Sequence, residues 1–304
     1  MGMSAIVLGA AAGGGFPQWN CNCDVCRLAW AGDKRVRART QASLAVSANG
    51  KRWALLNASP DLRAQIQATA ALHPGGDRRG SPIDTVVLTG AEIDQTAGLL
   101  SLRERSPFSV IATAATHAAI ADNPMFAVLA ADQVRRRAIA PGERFTLGDG
   151  IQAELFMVPG KLPLYLEGQD FNTAPDTASE SAANVGVELT DGEARLVYVP
   201  GAAAVTTALR QRLSCADAIL FDGTLFTDDE MIRTGTGAKS GRRMGHMPIE
   251  GPGGTLAALD GLSARRIFVH INNTNPILVD GSPERARVEA AGWEVAWDGM
   301  EIVL

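Results

Sequence analysis

Three cysteines stand close together as Cys21, Cys23 and Cys26, within the turn-rich stretch FPQWNCNCDVC. Three thiolates at this CxCxxC spacing can meet on one tetrahedral Zn²⁺, which takes a fourth ligand from another part of the chain. Reduced cysteines in an exposed loop without a metal would be open to oxidation. We therefore expect a structural zinc in residues 21–26. The candidates for its fourth ligand, among which the sequence does not choose, are His246, His270 and Asp24.

A carboxylate and an imidazole follow apolar runs that are typical of buried strands. Asp222 comes directly after the run 217–221, and His270 ends another such run. Side chains at the carboxyl ends of strands are well placed to face a ligand site. We expect both residues in such a site, with the start of a turn as the alternative role of Asp222. The amides after His270 that would bind substrate there are Asn272 and Asn273.

The remaining histidines and the fourth cysteine have less distinctive contexts. His246 lies in a glycine-rich loop beside two methionines and a proline, where a site role and a structural role are both open. His73 lies in a polar connection and is predicted to be solvated, whereas His117 opens a helix and is predicted to be structural. Cys215 lies in an apolar context and is predicted to pack in the core.

The stretch from Val86 to Leu99, VVLTGAEIDQTAGL, has the pattern of a strand, an acidic loop and a short apolar helix. The loop carries Glu92, Asp94 and Gln95. Two carboxylates and an amide therefore leave the end of one strand together, as a metal site at a sheet edge requires.

The elements that must position these residues include two predicted hairpins, at Asn49-Gly50 and at Asp191-Gly192. The hairpins break the regular strand-helix alternation of a doubly wound sheet. Two series of strands, with helices between and outside them, instead predict an α/β (α+β) fold, a four-layer αββα sandwich. In this architecture ligands gather at the strand ends along one edge.

Three further segments have patterns that the structure can test. The sequence Ser59-Pro60-Asp61 predicts a helix over 62–71 with Ser59 as its N-cap. The segment 125–136 has a helical pattern. The segment 166–183 is polar and acidic, and is predicted to be a loop or lid.

The composition limits the function classes. The 304 residues, 46% of them hydrophobic, can bury a large core, and we expect one domain over residues 1–304. A net charge of −5 argues against a general nucleic-acid binder. There is no apolar run long enough to span a membrane, and the N-terminal run breaks at Gly9, so a first strand is favoured over a signal peptide. These features predict a cytoplasmic protein that binds small molecules or proteins.

Eight stretches, in order from residue 9 to 278, together resemble the pyrroloquinoline quinone (PQQ) biosynthesis protein B family. They are GxAAGGGFPQWNCNCDVC, RTQASLAVS, LLNASPDLRAQI, IDQTAGLLSLRE, VPGKLPLYLE, LFDGTLFTDDEM, MGHMP and VHINNTNPIL. The resemblance covers nearly the whole chain. It implies the metallo-β-lactamase fold, a structural zinc at CxCxxC and a role in making the quinone cofactor.

The resemblance also implies a reaction. The family is thought to act on the cross-linked Glu-Tyr diamino acid cut from a precursor peptide, and iron-dependent hydroxylation of its tyrosine ring is the proposed step. The alternative is a carrier that transports PQQ or its precursor without chemistry. The implied partners are this small molecule and other PQQ biosynthesis proteins, with a homodimer as a further expectation and neither nucleic acid nor membrane.

The resemblance assigns the site residue by residue. The metal motif of metallo-β-lactamase proteins, HxHxDH, aligns with Gly90, Glu92, Asp94 and Gln95. Asp94, Asp222 and His270 match the family's site positions, and Glu92 keeps the acidic character found there. Gln95 stands where histidine is expected, and its amide is a weaker donor for Fe²⁺ or Zn²⁺.

Lys161 stands where metallo-β-lactamase hydrolases carry a metal-binding histidine, and lysine is a better anchor for a substrate carboxylate than a metal ligand. Because positions 90, 95 and 161 supply no imidazole, the pattern argues against a two-zinc hydrolase. The implied site is a non-haem Fe²⁺ centre with a structural Zn²⁺ elsewhere. Its implied residues are Asp94, Asp222 and His270, with Glu92 or His246 completing the ligand set.

Overall fold

Two β-sheets form the centre of the computed structural model, which describes residues 2–76, 78–163, 165 and 179–304. The strands are β1 (Ser4–Gly9), β2 (Ser43–Ser47), β3 (Trp53–Leu56), β4 (Ile83–Val87), β5 (Phe108–Ala112), β6 (Val134–Ala138), β7 (Arg144–Thr146), β8 (Gln152–Pro159), β9 (Glu180–Thr190), β10 (Arg195–Val199), β11 (Ala218–Asp222), β12 (Arg265–Val269), β13 (Trp293–Val295) and β14 (Glu301–Val303). The α-helices are α1 (Asp24–Trp30), α2 (Leu62–Ala68), α3 (Ile93–Thr96), α4 (Ala114–Ala121), α5 (Thr207–Leu213), α6 (Glu230–Arg233), α7 (Thr255–Ala258) and α8 (Pro283–Ala290).

The strand order places equivalent strand ends side by side. Within the described residues the first sheet runs β14-β1-β2-β3-β4-β5-β6 and the second β13-β12-β11-β10-β9-β8-β7. From β3 to β6 the first sheet is parallel, and from β10 to β13 the second is parallel. Parallel strands end at the same edge of a sheet, so the segments after β4, β11 and β12 leave the sandwich on one side.

Three apolar clusters show four layers. One lies between the sheets and joins residues such as Leu44 and Val87 of the first sheet to Leu155 and Val187 of the second. A second packs the outer face of the second sheet against α5, α7 and α8, and a third packs the outer face of the first sheet against α2 and α4. The predicted αββα sandwich is therefore confirmed.

The two predicted hairpins are confirmed. Strands β2 and β3 pair antiparallel across Asn49-Gly50, with Gly50 at a φ of 72°. Strands β9 and β10 pair antiparallel across Asp191-Gly192, where Asp191 Oδ1 accepts hydrogen bonds from the amides of Glu193 and Ala194.

Three predictions made from local sequence patterns, two on helices and one on a core residue, differ from the structure. The segment 125–136 is helical only at its start, in a 3-10 helix over Pro124–Val128, because β6 begins at Val134 and pairs with β5 as an edge strand whose arginines face solvent. Helix α2 ends at Ala68, and Ser59 does not cap it, since its hydroxyl bonds Gln65 Oε1 at 3.1 Å. Cys215 is exposed rather than packed in the core, because the apolar face of this turn is formed by Leu213 and Ala216.

The loop prediction for the polar segment 166–183 can be tested only in part. Residues 166–178 lie outside the described residues, so the loop prediction for them stays a prediction. For residues 180–183 the loop prediction is wrong, since these residues begin the long strand β9 beside β8. In the described part of the chain, the helices are all too short or too polar to cross a bilayer.

Candidate functional site

Three ligand-type side chains come from three neighbouring strand ends. Asp222 is the last residue of β11, and His270 directly follows β12. Asp94 lies in the first turn of α3, which begins soon after β4. The loops at this edge surround a cavity of about 480 Å³, whose lining includes Asp94, His246 and His270. The fold thus brings together residues that are far apart in the sequence.

Asp222, His246 and His270 form a group that we call the histidine site. One ligand atom of each lies within 4.8 Å of the ligand atoms of the other two. His246 Nδ1 is 2.7 Å from Asp222 Oδ2, and the two imidazole rings stack with their centroids 5.1 Å apart. One carboxylate with two imidazoles is the donor set that non-haem Fe²⁺ takes in proteins, so these residues fit a metal ion.

The carboxylate of Asp222 is held in its ionised form. It is fully buried, and it accepts hydrogen bonds from the amides of Ala202 (2.9 Å) and Thr224 (3.0 Å). Burial by itself would raise the pKa of Asp222, but the neighbouring His246 and His270 bring that pKa below its ordinary value. A buried carboxylate that stays ionised is suited to hold a cation.

Asp94 holds the other side of His270. Its Oδ2 lies 2.9 Å from His270 Nε2, outside the three-residue group of the histidine site. Burial opposes ionisation of both groups, yet their contact lowers the pKa of Asp94 and raises the pKa of His270. Carboxylates in this position fix the ring orientation of a metal-binding histidine.

Thr224 stands at the centre of the histidine site, a role that the sequence analysis missed. Its hydroxyl lies 2.6 Å from Asp222 Oδ1, 2.8 Å from His270 Nδ1 and 3.1 Å from His246 Nδ1. A threonine two residues after a strand-end aspartate is common in turns, so the only signal for this role was its proximity to Asp222 in the sequence.

Gln95 and Gly90 serve the backbone of the loop before α3. Gln95 Oε1 accepts a hydrogen bond from the amide of Glu92 at 3.1 Å, and Gln95 Nε2 donates to Thr89 Oγ1 at 3.3 Å. A Cβ on Gly90 would lie 2.6 Å from Gln95 Oε1, so a larger residue there would require the Gln95 amide to move. Gln95 lines the cavity, but its amide is used to cap α3.

Glu92 and Lys161 form an ion pair at the wall of the cavity, with Nζ 2.9 Å from Oε1. Their side chains are 30% and 16% exposed. Tyr165 adds a hydrogen bond from its hydroxyl to the carbonyl of Ala91 at 2.7 Å. Lys161 therefore lies where a substrate entering the cavity would meet it. Asn272 also lines the cavity, while Asn273 points elsewhere.

The three clustered cysteines form a second group, the cysteine site. Their sulfur atoms lie within 4.8 Å of one another, and Cys23 is the N-cap of α1. Burial raises the pKa of Cys23 to about 12, an increase to which the crowded thiols of Cys21 and Cys26 add and which the amide of Cys26 opposes. Three thiols that crowd one another, two of them half-buried and that of Cys26 buried, fit Zn²⁺, which removes their protons on binding.

Asn273 completes the cysteine site from the opposite end of the chain. Its side-chain Nδ2 lies 3.1 Å from Cys21 Sγ and 3.3 Å from Cys26 Sγ. Its backbone carbonyl oxygen lies 3.7 Å from Cys23 Sγ. Because the two ends of an amide are assigned only from their contacts, a flip would place Oδ1 on the metal side. Asn273, predicted to bind substrate, thus lies where a fourth zinc ligand would be.

None of the three residues predicted as candidates for that ligand reaches the cysteine site. His246 and His270 belong to the histidine site, and Asp24 pairs with Arg27 on the surface. The other two histidines hold backbone carbonyls, with His117 Nε2 on Arg137 and His73 Nε2 on Gln67.

Comparison with known proteins agrees with this architecture. Residues 52–271 match the model of the beta-lactamase superfamily domain. The chain is 54% identical to the coenzyme PQQ synthesis protein B of Methylobacterium nodulans over 99% of this chain and 100% of that protein. It is also 54% identical to the protein of the same name from Ruegeria pomeroyi, with the same coverage.

Solved structures give the same result. The crystal structure of Zn²⁺-bound PqqB from Methylobacterium extorquens superposes with a TM-score of 0.96 at 52% identity, over 99% of this chain and 100% of that one. A diphosphatase from the PhnP family, at 18% identity and a TM-score of 0.71, shares the fold. The sequence, the two-sheet sandwich and these relatives agree: the chain belongs to the coenzyme PQQ synthesis protein B family of the beta-lactamase superfamily.

Proposed function

We propose that this protein acts in PQQ synthesis as an Fe²⁺-dependent hydroxylase of the tyrosine ring in the cross-linked Glu-Tyr precursor. The observation that carries the proposal is the histidine site, where one carboxylate and two imidazoles gather at a cavity of about 480 Å³. This volume is within the usual range for small-molecule sites. The family membership supplies the pathway, and the donor set supports the metal.

The residues of the chain divide the task. Asp222, His246 and His270 would hold the metal, and Asp94 would fix the ring of His270 through its Nε2. Lys161 at the cavity wall would exchange Glu92 for a substrate carboxylate. Bound Fe²⁺ would supply the activation of O₂.

The reaction balances with an external reductant. One ring C–H bond becomes C–OH with one oxygen atom of O₂, and the other oxygen atom leaves as water. This requires two electrons and two protons, which an external two-electron donor of the ascorbate class would provide for each hydroxylation. Cys21, Cys23, Cys26 and Asn273 would hold the structural Zn²⁺ away from this chemistry.

The test is an anaerobic titration of the metal-stripped protein with Fe²⁺, with and without the Glu-Tyr substrate, followed by admission of air and mass spectrometry of the product. We expect a mass gain of one oxygen atom for each hydroxylation in the parent. His246→Gln should abolish this gain, because it removes one of the two imidazoles. Cys215→Ser, which changes an exposed cysteine outside both sites, should leave it unchanged.

A carrier function is the second candidate, and the contacts of the loop before α3 favour it. Gln95 caps the backbone and Glu92 pairs with Lys161, so neither is directed to a metal in the manner of a hydrolase motif. If the substrate binds with equal affinity with and without Fe²⁺, and its mass does not change in air, the carrier replaces the hydroxylase.

A further inference from the structure

The segment that follows His270 connects the two candidate metal sites. His270 and Asn272 line the cavity, whereas Asn273 contacts all three cysteines. Two residues thus separate an imidazole of the histidine site from the amide at the cysteine site. We call residues 272–275 the amide segment.

Three residues of the amide segment are tied to the loop after β11 and to the first residue of α6. The backbone N–H of Asn272 donates to the backbone carbonyl of Thr224 at 3.0 Å. Thr274 donates its hydroxyl to Glu230 Oε1 at 2.5 Å, and Asn275 Nδ2 donates to the carbonyl of Gly223 at 2.9 Å. Asn273 differs from these, because its side chain is directed to the three sulfur atoms that would bind the metal.

The backbone of His270 requires such support. His270 has a φ of 54°, in the left-handed region that residues with a Cβ rarely adopt. A conformation of this kind persists only where the surroundings hold it. The next residue, Ile271, exchanges backbone hydrogen bonds with Ala10 and Ala12, in the loop that leads directly into the cysteines. The backbone on the carboxyl side of His270 is therefore held by residues 10–12, by the amide segment and by Thr224, whose hydroxyl donates to the carbonyl of His270 at 3.0 Å.

We propose that the metal at the cysteine site positions His270, with Asn273 as the positioning residue that links the two sites. This inference rests on the proposed metal binding by the histidine site. Zinc bound to the three thiolates and to Asn273 fixes the amide segment, and this segment holds the backbone of His270 in its left-handed conformation. Loss of the cysteine-site metal therefore weakens metal binding at the histidine site, although the two sites share no ligand.

The test uses Co²⁺ as a spectroscopic probe in the full-length protein. Thiolate-to-Co²⁺ charge-transfer bands report Co²⁺ in the cysteine site. The visible d–d bands of Co²⁺ bound by nitrogen and oxygen ligands report the histidine site. We expect Asn273→Ala to weaken Co²⁺ binding at the histidine site about tenfold and to change its d–d spectrum, the effect typical of losing a residue that orients a ligand. Asn273→Asp keeps an oxygen ligand and should recover most of the affinity.

Two controls separate positioning from general loss of stability. Asn123→Ala removes a side-chain amide that bonds the carbonyl of Ala119 in α4, and should leave both sets of bands unchanged. Cys23→Ser removes a thiol of the cysteine site instead of the amide, and should reproduce the effect of Asn273→Ala. Its result decides the question if Asn273→Ala does not fold.

The possible results are distinct. The inference is overturned if variants that lose the charge-transfer bands bind Co²⁺ at the histidine site within about twofold of the parent, far less than the change expected for an orienting residue. If the parent itself shows no d–d bands from the histidine site, the proposed metal site fails and the inference fails with it.

Discussion

At the scale of single residues, the histidine site depends on a hydroxyl. Thr224 Oγ1 has one proton and two lone pairs, and it lies within hydrogen-bond distance of Asp222 and of both imidazoles. It links the carboxylate to the two rings and limits the ways in which the three ligands can rotate. Since Thr224 is 4% exposed, water cannot readily replace it.

We expect Thr224→Val to lower the free energy of unfolding of the metal-free protein by about 1–3 kcal/mol, the cost of leaving a buried polar group without its partner. The measurement is urea unfolding followed by circular dichroism. Thr224→Ser keeps the hydroxyl and should lie close to the parent. A valine variant as stable as the parent would show that the hydroxyl is dispensable.

Whether a site residue could be predicted depends on whether its neighbours in the sequence indicate its role. Asp94, Asp222 and His270 could be chosen from the sequence because each follows an apolar strand, and strand ends form sites in this class of fold. Asn273 could not be assigned to the cysteines, because its contact with Cys21 spans 252 positions and arises only when β12 enters the second sheet. The amide run by itself suggested only substrate binding.

At the scale of elements, the short helix α6 inserts its first residue into the interior. Glu230 is fully buried and accepts hydrogen bonds from Thr274 and from the amide of Phe226 at 2.6 Å. Burial raises its pKa from 4.5 to about 7, against the opposing effects of these bonds and of nearby Arg233. The helix is therefore held by a carboxyl group that is costly to ionise.

This carboxyl makes stability depend on pH in a definite direction. A raised folded-state pKa means that the folded protein binds the proton more tightly, so stability is full below about pH 4.5 and falls as the pH rises towards 7. Glu230→Gln removes this loss. We expect the variant to exceed the parent by about 3 kcal/mol above pH 7 and to match it near pH 4.5.

Urea unfolding at several pH values measures this difference. Asp229→Asn, next to Glu230 at the exposed N-cap position of α6, is the matched control and should follow the parent at each pH. A constant offset between Glu230→Gln and the parent at every pH would contradict the raised pKa.

Among the elements, those with a local turn signal were the most predictable. The Asn-Gly and Asp-Gly pairs fix the two hairpins through the positive φ that their glycines accept. Strand β6 could not be recognised, because the run from Val134 to Arg137 has one buried side chain and three exposed arginines. Its conformation is decided by pairing with β5, and its charges suit an edge strand that must not pair further.

At the scale of the whole molecule, the site spans both sheets. Asp94 follows a strand of the first sheet, whereas Asp222 ends β11 and His270 follows β12 in the second. The 2.9 Å contact between Asp94 and His270 therefore measures how the sheets are aligned. The apolar cluster between the sheets sets this alignment.

Leu155 of β8 lies fully buried in that cluster, and we expect Leu155→Ala to lower the free energy of unfolding by about 2–5 kcal/mol through the cavity that it leaves. Met157 lies on the same strand but is 41% exposed, so Met157→Ala should change it by less than about 0.5 kcal/mol. Chemical denaturation of both variants tests this. Equal effects would mean that the cluster is not the main source of stability.

The layer architecture was predictable because hairpins and strand-helix patterns together exclude the doubly wound alternative. The alignment of the two sheets was not, because it depends on side-chain packing between residues such as Val87 and Val187, which no local pattern relates.

The distance along the chain between the cysteines and Asn273 has a consequence for biosynthesis. A chain leaves the ribosome with its N-terminus first, so three thiols are exposed long before the amide that closes their site has been made. One edge of β1 also lacks its partner until late, since β14 contains residues 301–303, although β2 on its other edge is made early. An early metal ion would be held by sulfur alone and would exchange readily. Retention of zinc would therefore mark a completed chain, and an interrupted one would release its metal.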